Sequence, residues 1–254
     1  MTTTMHVSYA DETQRRFARI AGVMYLANYA TAVTGVLGMS TIKGAGSFAE
    51  RAANLIASEP MYRAALTSMA ISWVILVIQA YALYVAVKPV NARIAQMALI
   101  LEGSQAVVGA VSVMFGFSMM MAYTAVQAGS PFETDQLQVI SKIINGAYNS
   151  GFSIALLFFA PASLLYFYLF LQSGYLPRAI AGLGVIGSAL MIVSTIATLV
   201  APGSARWLTY AAWGPMGVAE VVTGFWLAFK GIRYRVDTEE DGVDVSRHRE
   251  GARG

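Results

Sequence analysis

Residues 20–42, 64–87, 143–177 and 179–205 contain no Asp, Glu, Lys or Arg. Each stretch is long enough for a helix to cross the ~30 Å hydrocarbon core of a bilayer, which takes about twenty residues at 1.5 Å rise. Charges collect in short clusters between such stretches, and they make up only 12% of the 254 residues against 57% apolar ones. A soluble domain of this composition would expose large apolar patches. The expected class is therefore an all-α integral membrane bundle, since helices satisfy their own backbone hydrogen bonds in lipid.

The pattern predicts about six transmembrane helices, near residues 20–39, 62–87, 92–128, 151–171, 179–200 and 207–229. After the first span, Ser47 and Glu50 form an S-x-x-E capping box. Behind it Phe48, Ala52, Leu55 and Ile56 share one face, while Glu50, Arg51 and Asn54 are polar. Ten residues cannot span, so this segment is expected to lie in the interface, with Pro60 ending it. Lys88-Pro89-Val90-Asn91, Gly129-Ser130-Pro131 and Pro202-Gly203 read as turns. Pro161 and Pro215 fall inside predicted helices and are expected to kink them. Ser173-Gly174 followed by Pro177 reads as a helix C-cap and stop. Residues 1–17 read as a polar cytoplasmic tail, 18–235 as the transmembrane domain, and 236–254 as a charged, disordered cytoplasmic tail.

Counting Lys and Arg on the two sides of six spans gives twelve on the side of both termini and five (Lys43, Arg51, Arg63, Lys142 and Arg206) on the other. The positive-inside rule then places both ends in the cytoplasm. The same rule accounts for the net charge of +3 without nucleic acid as a partner. The first apolar run follows Arg15, Arg16 and Arg19 and lacks a cleavage site, so it reads as a span and not a cleavable signal.

Two carboxylates interrupt the apolar spans. Glu102 is nine residues from Arg93 and Glu220 ten from Lys230, so both sit roughly 13–15 Å from the cytoplasmic interface, near mid-membrane. Ionisable residues at that depth usually face a protein interior and often mark function. Asn28, Gln79, Ser163 and Ser188 recur at the same depth on the other four spans. Glu102, Gln105, Gly109, Ser112 and Gly116 follow helical spacing, as do Trp213, Gly217, Glu220 and Gly224, while Ala21, Asn28 and Gly35 repeat at seven. Small residues let helices approach closely, so these stripes are the expected packed faces. Three readings stay open for the polar layer: hydrogen-bonded packing, a pocket for a small polar or cationic molecule, and a proton-linked role.

Other signals lead away from catalysis. Gly182-Leu183-Gly184-Val185-Ile186-Gly187 matches G-x-G-x-x-G, but it lacks the preceding strand and the later acidic residue of a dinucleotide site. The chain has no cysteine, and His6 and His248 lie in the tails, so no cofactor and no metal site is expected. Trp73, Trp207, Trp213 and Trp226, with the tyrosines, read mainly as interfacial anchors.

The chain resembles a group of bacterial multispan proteins catalogued as domain of unknown function number 4386. The resemblance lies in ARIAGVMYL at 18–26, AANLIASEPMYR at 52–63 and ALYVAVKPVN at 82–91, then in Phe158-Phe159, SGYLPR at 173–178 and WLAFKGIR at 226–233. It implies a helical bundle in the bacterial cytoplasmic membrane and supplies no activity. Members of that group often carry an arginine three residues before the third-helix glutamate and histidines in the fourth helix. Here Leu99 stands at the first place and Tyr148 and Ala162 near the others, so part of any such site is missing.

The sequence thus points to a non-enzymatic membrane protein that binds or moves a small polar or cationic molecule in a pocket around Glu102, Glu220, Gln105, Asn28, Gln79, Ser163 and Ser188. The alternative is a structural or regulatory subunit acting through a protein partner, with homo-oligomerisation open. Reporter fusions test the topology: a periplasm-specific reporter should be inactive at the C-terminus and active between Lys43 and Pro60. Activity at the C-terminus would overturn the orientation.

Overall fold

A computed structural model describes residues 11–125, 131–201 and 206–232, with the side chain of Arg206 excepted. Both ends of the chain, the Gly129-Ser130 part of the expected break and the Pro202-Gly203 turn lie outside the described residues, as do His6 and His248. The described chain is helical throughout: α1 (Glu12–Lys43), α2 (Phe48–Ala57), α3 (Glu59–Val87), α4 (Ala92–Thr124), α5 (Thr134–Ser173), α6 (Arg178–Val200) and α7 (Arg206–Phe225). A π-helical turn, Trp226–Lys230, closes the series. Five of these helices, α1 and α3 to α6, are long and apolar enough to cross a membrane. Their outward surface is apolar, with Val74, Val107, Ile186 and Val193 among the exposed side chains.

Several boundaries differ from expectation for identifiable reasons. α1 begins at Glu12, inside what the sequence suggested was a tail reaching residue 17. Asp11 caps it in a reciprocal box with Gln14, and the Gln14 amide donates to Ala86 O at 2.9 Å and to the Tyr175 hydroxyl at 3.2 Å. Those bonds tie the segment to the bundle. Pro60 does not end α2; Ser58 does, and Pro60 sits in the first turn of α3, where its missing N–H costs nothing. The stretch from Thr134 and the fourth predicted span form one 40-residue helix that runs through Pro161. The sixth predicted helix gives way at Trp226 to the π turn, which ends at Gly231 (φ +69°).

Neighbouring helices meet at glycines. A Cβ on Gly35 of α1 would lie 3.0 Å from Ala65 O of α3, and one on Gly109 of α4 would enter the Trp73 ring of α3. Gly151 of α5 sits against Ser112 of α4, Gly184 of α6 against the Phe167 ring of α5, and Gly187 of α6 is 2.9 Å short of Met216 N of α7 by the same measure. Gly224 of α7 abuts Tyr25 and Leu26 of α1, and Gly22 of α1 abuts the backbone of Leu227 and Ala228. With no water-driven force between helices in lipid, such close approach is how they gain contact. α1 and α7 touch at Gly22 and Gly224 near the end of the bundle that holds Glu12 and Lys230, here called the base; toward the opposite end, the crown, Val33 and Val36 of α1 are half exposed.

The apolar interior is split accordingly. One cluster gathers at the base around Leu83, Val87, Phe167, Phe170, Leu176 and Leu227. The other lies toward the crown around Leu66, Met69, Trp73, Val113 and Met120. α2 lies over the crown cluster. Phe48, Ala52 and Leu55 are buried on its inner face, and Phe48 stacks on Tyr123 with ring centroids 5.0 Å apart.

The capping box of α2 is complete: Ser47 Oγ accepts from Glu50 N at 3.2 Å, and Ser47 N donates to Glu50 Oε2 at 2.7 Å. The Ser47 backbone N–H and, second, its hydroxyl at 3.0 Å both donate to Glu50 Oε2 and hold the Glu50 carboxyl below the usual carboxylate range. A depressed folded pKa stabilises above the unfolded value and is lost as pH falls through the folded one. Hydrogen exchange across α2 should therefore be slow near neutrality and speed up as pH drops below about 4, once corrected for intrinsic exchange rates. Ser47→Ala should weaken the helix start by about 1 kcal/mol and reduce that pH dependence, leaving the part owed to the backbone N–H of residue 47; unchanged protection would show that the hydroxyl cap contributes nothing.

Candidate functional site

Between the two apolar clusters lies a group of polar side chains delivered by α1, α3, α4, α5 and α7. Glu102 comes from α4 and Glu220 from α7, and both are buried, at 5% and 6% exposure, so neither points outward. Gln79 of α3 donates from Nε2 to Glu102 Oε1 at 3.2 Å. Tyr29 of α1 donates its hydroxyl to Glu220 Oε2 at 2.5 Å. Asn28, one residue earlier, donates to Ser72 O of α3 at 2.8 Å. Tyr166 of α5 reaches Ala80 O at 3.1 Å. The layer is thus stitched from α1 to α3, from α1 to α7, from α3 to α4 and from α3 to α5.

A cavity of about 350 Å³ opens above this layer on the crown side. Its floor is formed by Tyr25, Asn28, Tyr29, Gln79, Gln105 and Glu220. Its walls are apolar and lie toward the crown, with Val33 and Val36 from α1, Leu76 from α3, Leu156 and Phe159 from α5, and Trp213 from α7. A smaller space of about 180 Å³ adjoins it across Phe152, Leu156 and Trp213 and is edged with hydroxyls, among them Ser194, Thr195 and Thr209.

Three buried polar atoms of residues that line the cavity have no hydrogen-bond partner: Gln79 Oε1, Gln105 Oε1 and Trp73 Nε1. A buried acceptor left unpaired costs about 1–3 kcal/mol, and such a group calls for an explanation. Two of the three are acceptors. No Lys, Arg or His stands at this level of any long helix. An unpaired carboxylate out of water costs several kcal/mol, so the floor favours a partner that donates hydrogen bonds or carries positive charge.

Of the residues expected to form one pocket, Asn28, Gln79, Gln105 and Glu220 line the cavity. Glu102 is one hydrogen bond behind it, covered by Gln79. The two serines are placed elsewhere. Ser188 donates to Gly184 O of its own helix at 2.7 Å and packs on Met216, and Ser163 is buried in α5 away from the lining. Membrane helices bond serine to the preceding turn readily, which is why matched depth alone did not bring these two in.

Sequence reasoning missed Tyr25, Tyr29, Trp73 and Trp213 by reading aromatics as interfacial anchors. The signal was present: Tyr29 is ten residues from Arg19, the depth at which Glu220 lies from Lys230. Trp73 and Trp213 are each about two turns crownward of a polar floor residue, Gln79 and Glu220, on the same helix.

A family model described as Domain of unknown function (DUF4386) matches residues 20–231, and the chain belongs to that family. No curated protein and no solved structure matches it.

Proposed function

We propose that this member of the DUF4386 family is a multipass protein of the bacterial cytoplasmic membrane that binds, and in its full cycle moves, a small cationic molecule at mid-membrane. In this reading α7 with its π turn is the sixth span, both termini are cytoplasmic, and α2 lies at the outer interface. The observation that carries the function is the cavity floor, where Glu220 and the unpaired oxygens of Gln79 and Gln105 converge without a protein cation. A cavity of about 350 Å³ falls within the usual size of small-molecule sites. Its unpaired acceptors match the donors of an ammonium group.

The competing reading, a structural or regulatory subunit acting on a protein partner, finds its support at Glu102. That carboxylate is buried, bonded to Gln79 and outside the cavity lining, as packing glue would be. The two carboxylates therefore divide between the readings and can be tested separately. Glu220→Gln keeps volume and hydrogen-bonding capacity but removes the charge that faces the cavity.

With full-length protein in nanodiscs, binding of a panel of organic ammonium ions should weaken about ten- to a hundredfold in Glu220→Gln, the loss of one charge-assisted hydrogen bond, with thermal unfolding little changed. Glu102→Gln should weaken binding far less. Equal binding by wild type and Glu220→Gln would remove the pocket reading and leave the scaffold.

A further inference from the structure

Resting on that binding reading, we propose that the ligand is a lipophilic ammonium ion, with an apolar body, that reaches the cavity sideways from the bilayer between the crown halves of α1 and α7. Two features of the cavity lead there. The first is its polarity gradient. The floor carries the acceptors, while the space above them is walled mainly by Val33, Val36, Leu76, Leu156, Phe159 and Trp213, with the Trp73 indole N–H and Ser72 the polar groups higher up. A small hydrated cation would gain the floor and lose its water against those walls. A molecule with a donor-rich head and an apolar body satisfies both parts, the head on Glu220 and the Gln79 and Gln105 oxygens, the body against the aromatic and branched side chains. Trp213 and Phe159 are already stacked, 16° from coplanar with centroids 6.3 Å apart, and present a flat apolar wall.

The second feature is the seam. The α1–α7 junction is closed by glycines at the base, by Gly22 and Gly224, whereas the crown-side glycines of α1, Gly35 and Gly38, are fitted against α3. The Tyr29–Glu220 hydrogen bond is the next tie between α1 and α7, one turn further on. Val33 and Val36 line the cavity and are nonetheless half exposed, at 50% each, and Trp213 of α7 is 37% exposed. Side chains that border the cavity and the outside surface together mark its mouth. That mouth has apolar rims and lies along the flank of the bundle, below the crown that α2 covers, so it opens onto lipid in a membrane-embedded bundle.

Tritiated 4-phenylbutylamine tests this on the full chain in nanodiscs. It should bind saturably, with methylamine and 4-phenylbutan-1-ol each competing about tenfold or more less well, since one lacks the apolar body and the other the charge. Val36→Trp and, separately, Val33→Trp should fill the mouth and weaken binding by a similar factor, with thermal unfolding unaltered because both positions are half exposed. The chain has no cysteine, so Val36→Cys gives a single reporter. Membrane-soluble N-phenylmaleimide should label it, 4-phenylbutylamine should protect it, and a sulfonated maleimide should react slowly. Methylamine competing as well as 4-phenylbutylamine would refute the apolar body while leaving the cation pocket standing. Fast labelling by the sulfonated reagent would refute lateral access. Absence of saturable binding by either amine would overturn this inference together with the binding reading.

Discussion

The hydrogen bond from Tyr29 to Glu220 at 2.5 Å ties the first long helix to the last, and the arrangement of the bundle follows from the need it meets. A carboxylate drawn from water must be bonded or neutralised. Here α7 carries it, α1 supplies one donor, and α3 and α4 hold the second carboxylate through Gln79 and Glu102. These bonds fix the level at which the helices stand beside one another. Apolar clusters then form on either side of that level, and the cavity is the volume left where polar floor and crown cluster fail to meet.

Glycine seams complete the constraint. Close backbone approach at Gly22, Gly35, Gly109, Gly184 and Gly187 holds neighbouring helices in register, since interpenetrating helices cannot slide without collision. In the crown half the glycines of α1, Gly35 and Gly38, face α3, so none is fitted against α7 there. The shape of the cavity and the position of its mouth are therefore two consequences of one distribution of small residues. α2 contributes to the same picture from above, because Phe48, Ala52 and Leu55 close the crown cluster.

Much of this was legible in the residues. The capping box at Ser47 and Glu50, the helix over 48–57 and the left-handed cap at Gly174 (φ +66°) rest on local backbone chemistry, which sequence states directly. The small-residue stripe Glu102, Gln105, Gly109, Ser112 and Gly116 is buried throughout, because packing in a bundle selects residue size. Depth counting matched Gln79 with Glu102, which are hydrogen-bonded, whereas Asn28 bonds to Ser72, seven residues crownward of Gln79 on α3. What it could not give was rotation about each helix axis, so Ser163 and Ser188, at matched depth, turned out to serve their own helices. Nor does spacing reveal where a cavity opens between helices, or that Trp213 forms part of its aromatic wall. The early start of α1 escaped because Asp11 and Gln14 look like tail residues until Ala86 and Tyr175 supply their partners.

The central claim is that the Glu220 floor holds a bound cation and is more than a hydrogen-bonded seam between helices. Native mass spectrometry of the protein extracted gently from its membrane reads this directly. The account predicts that wild-type protein carries a discrete small-molecule mass, released by collisional activation as a positive ion, and that Glu220→Gln carries none while keeping the same charge-state envelope. A wild-type spectrum free of any such mass, or the same adduct at equal occupancy in Glu220→Gln, would contradict it.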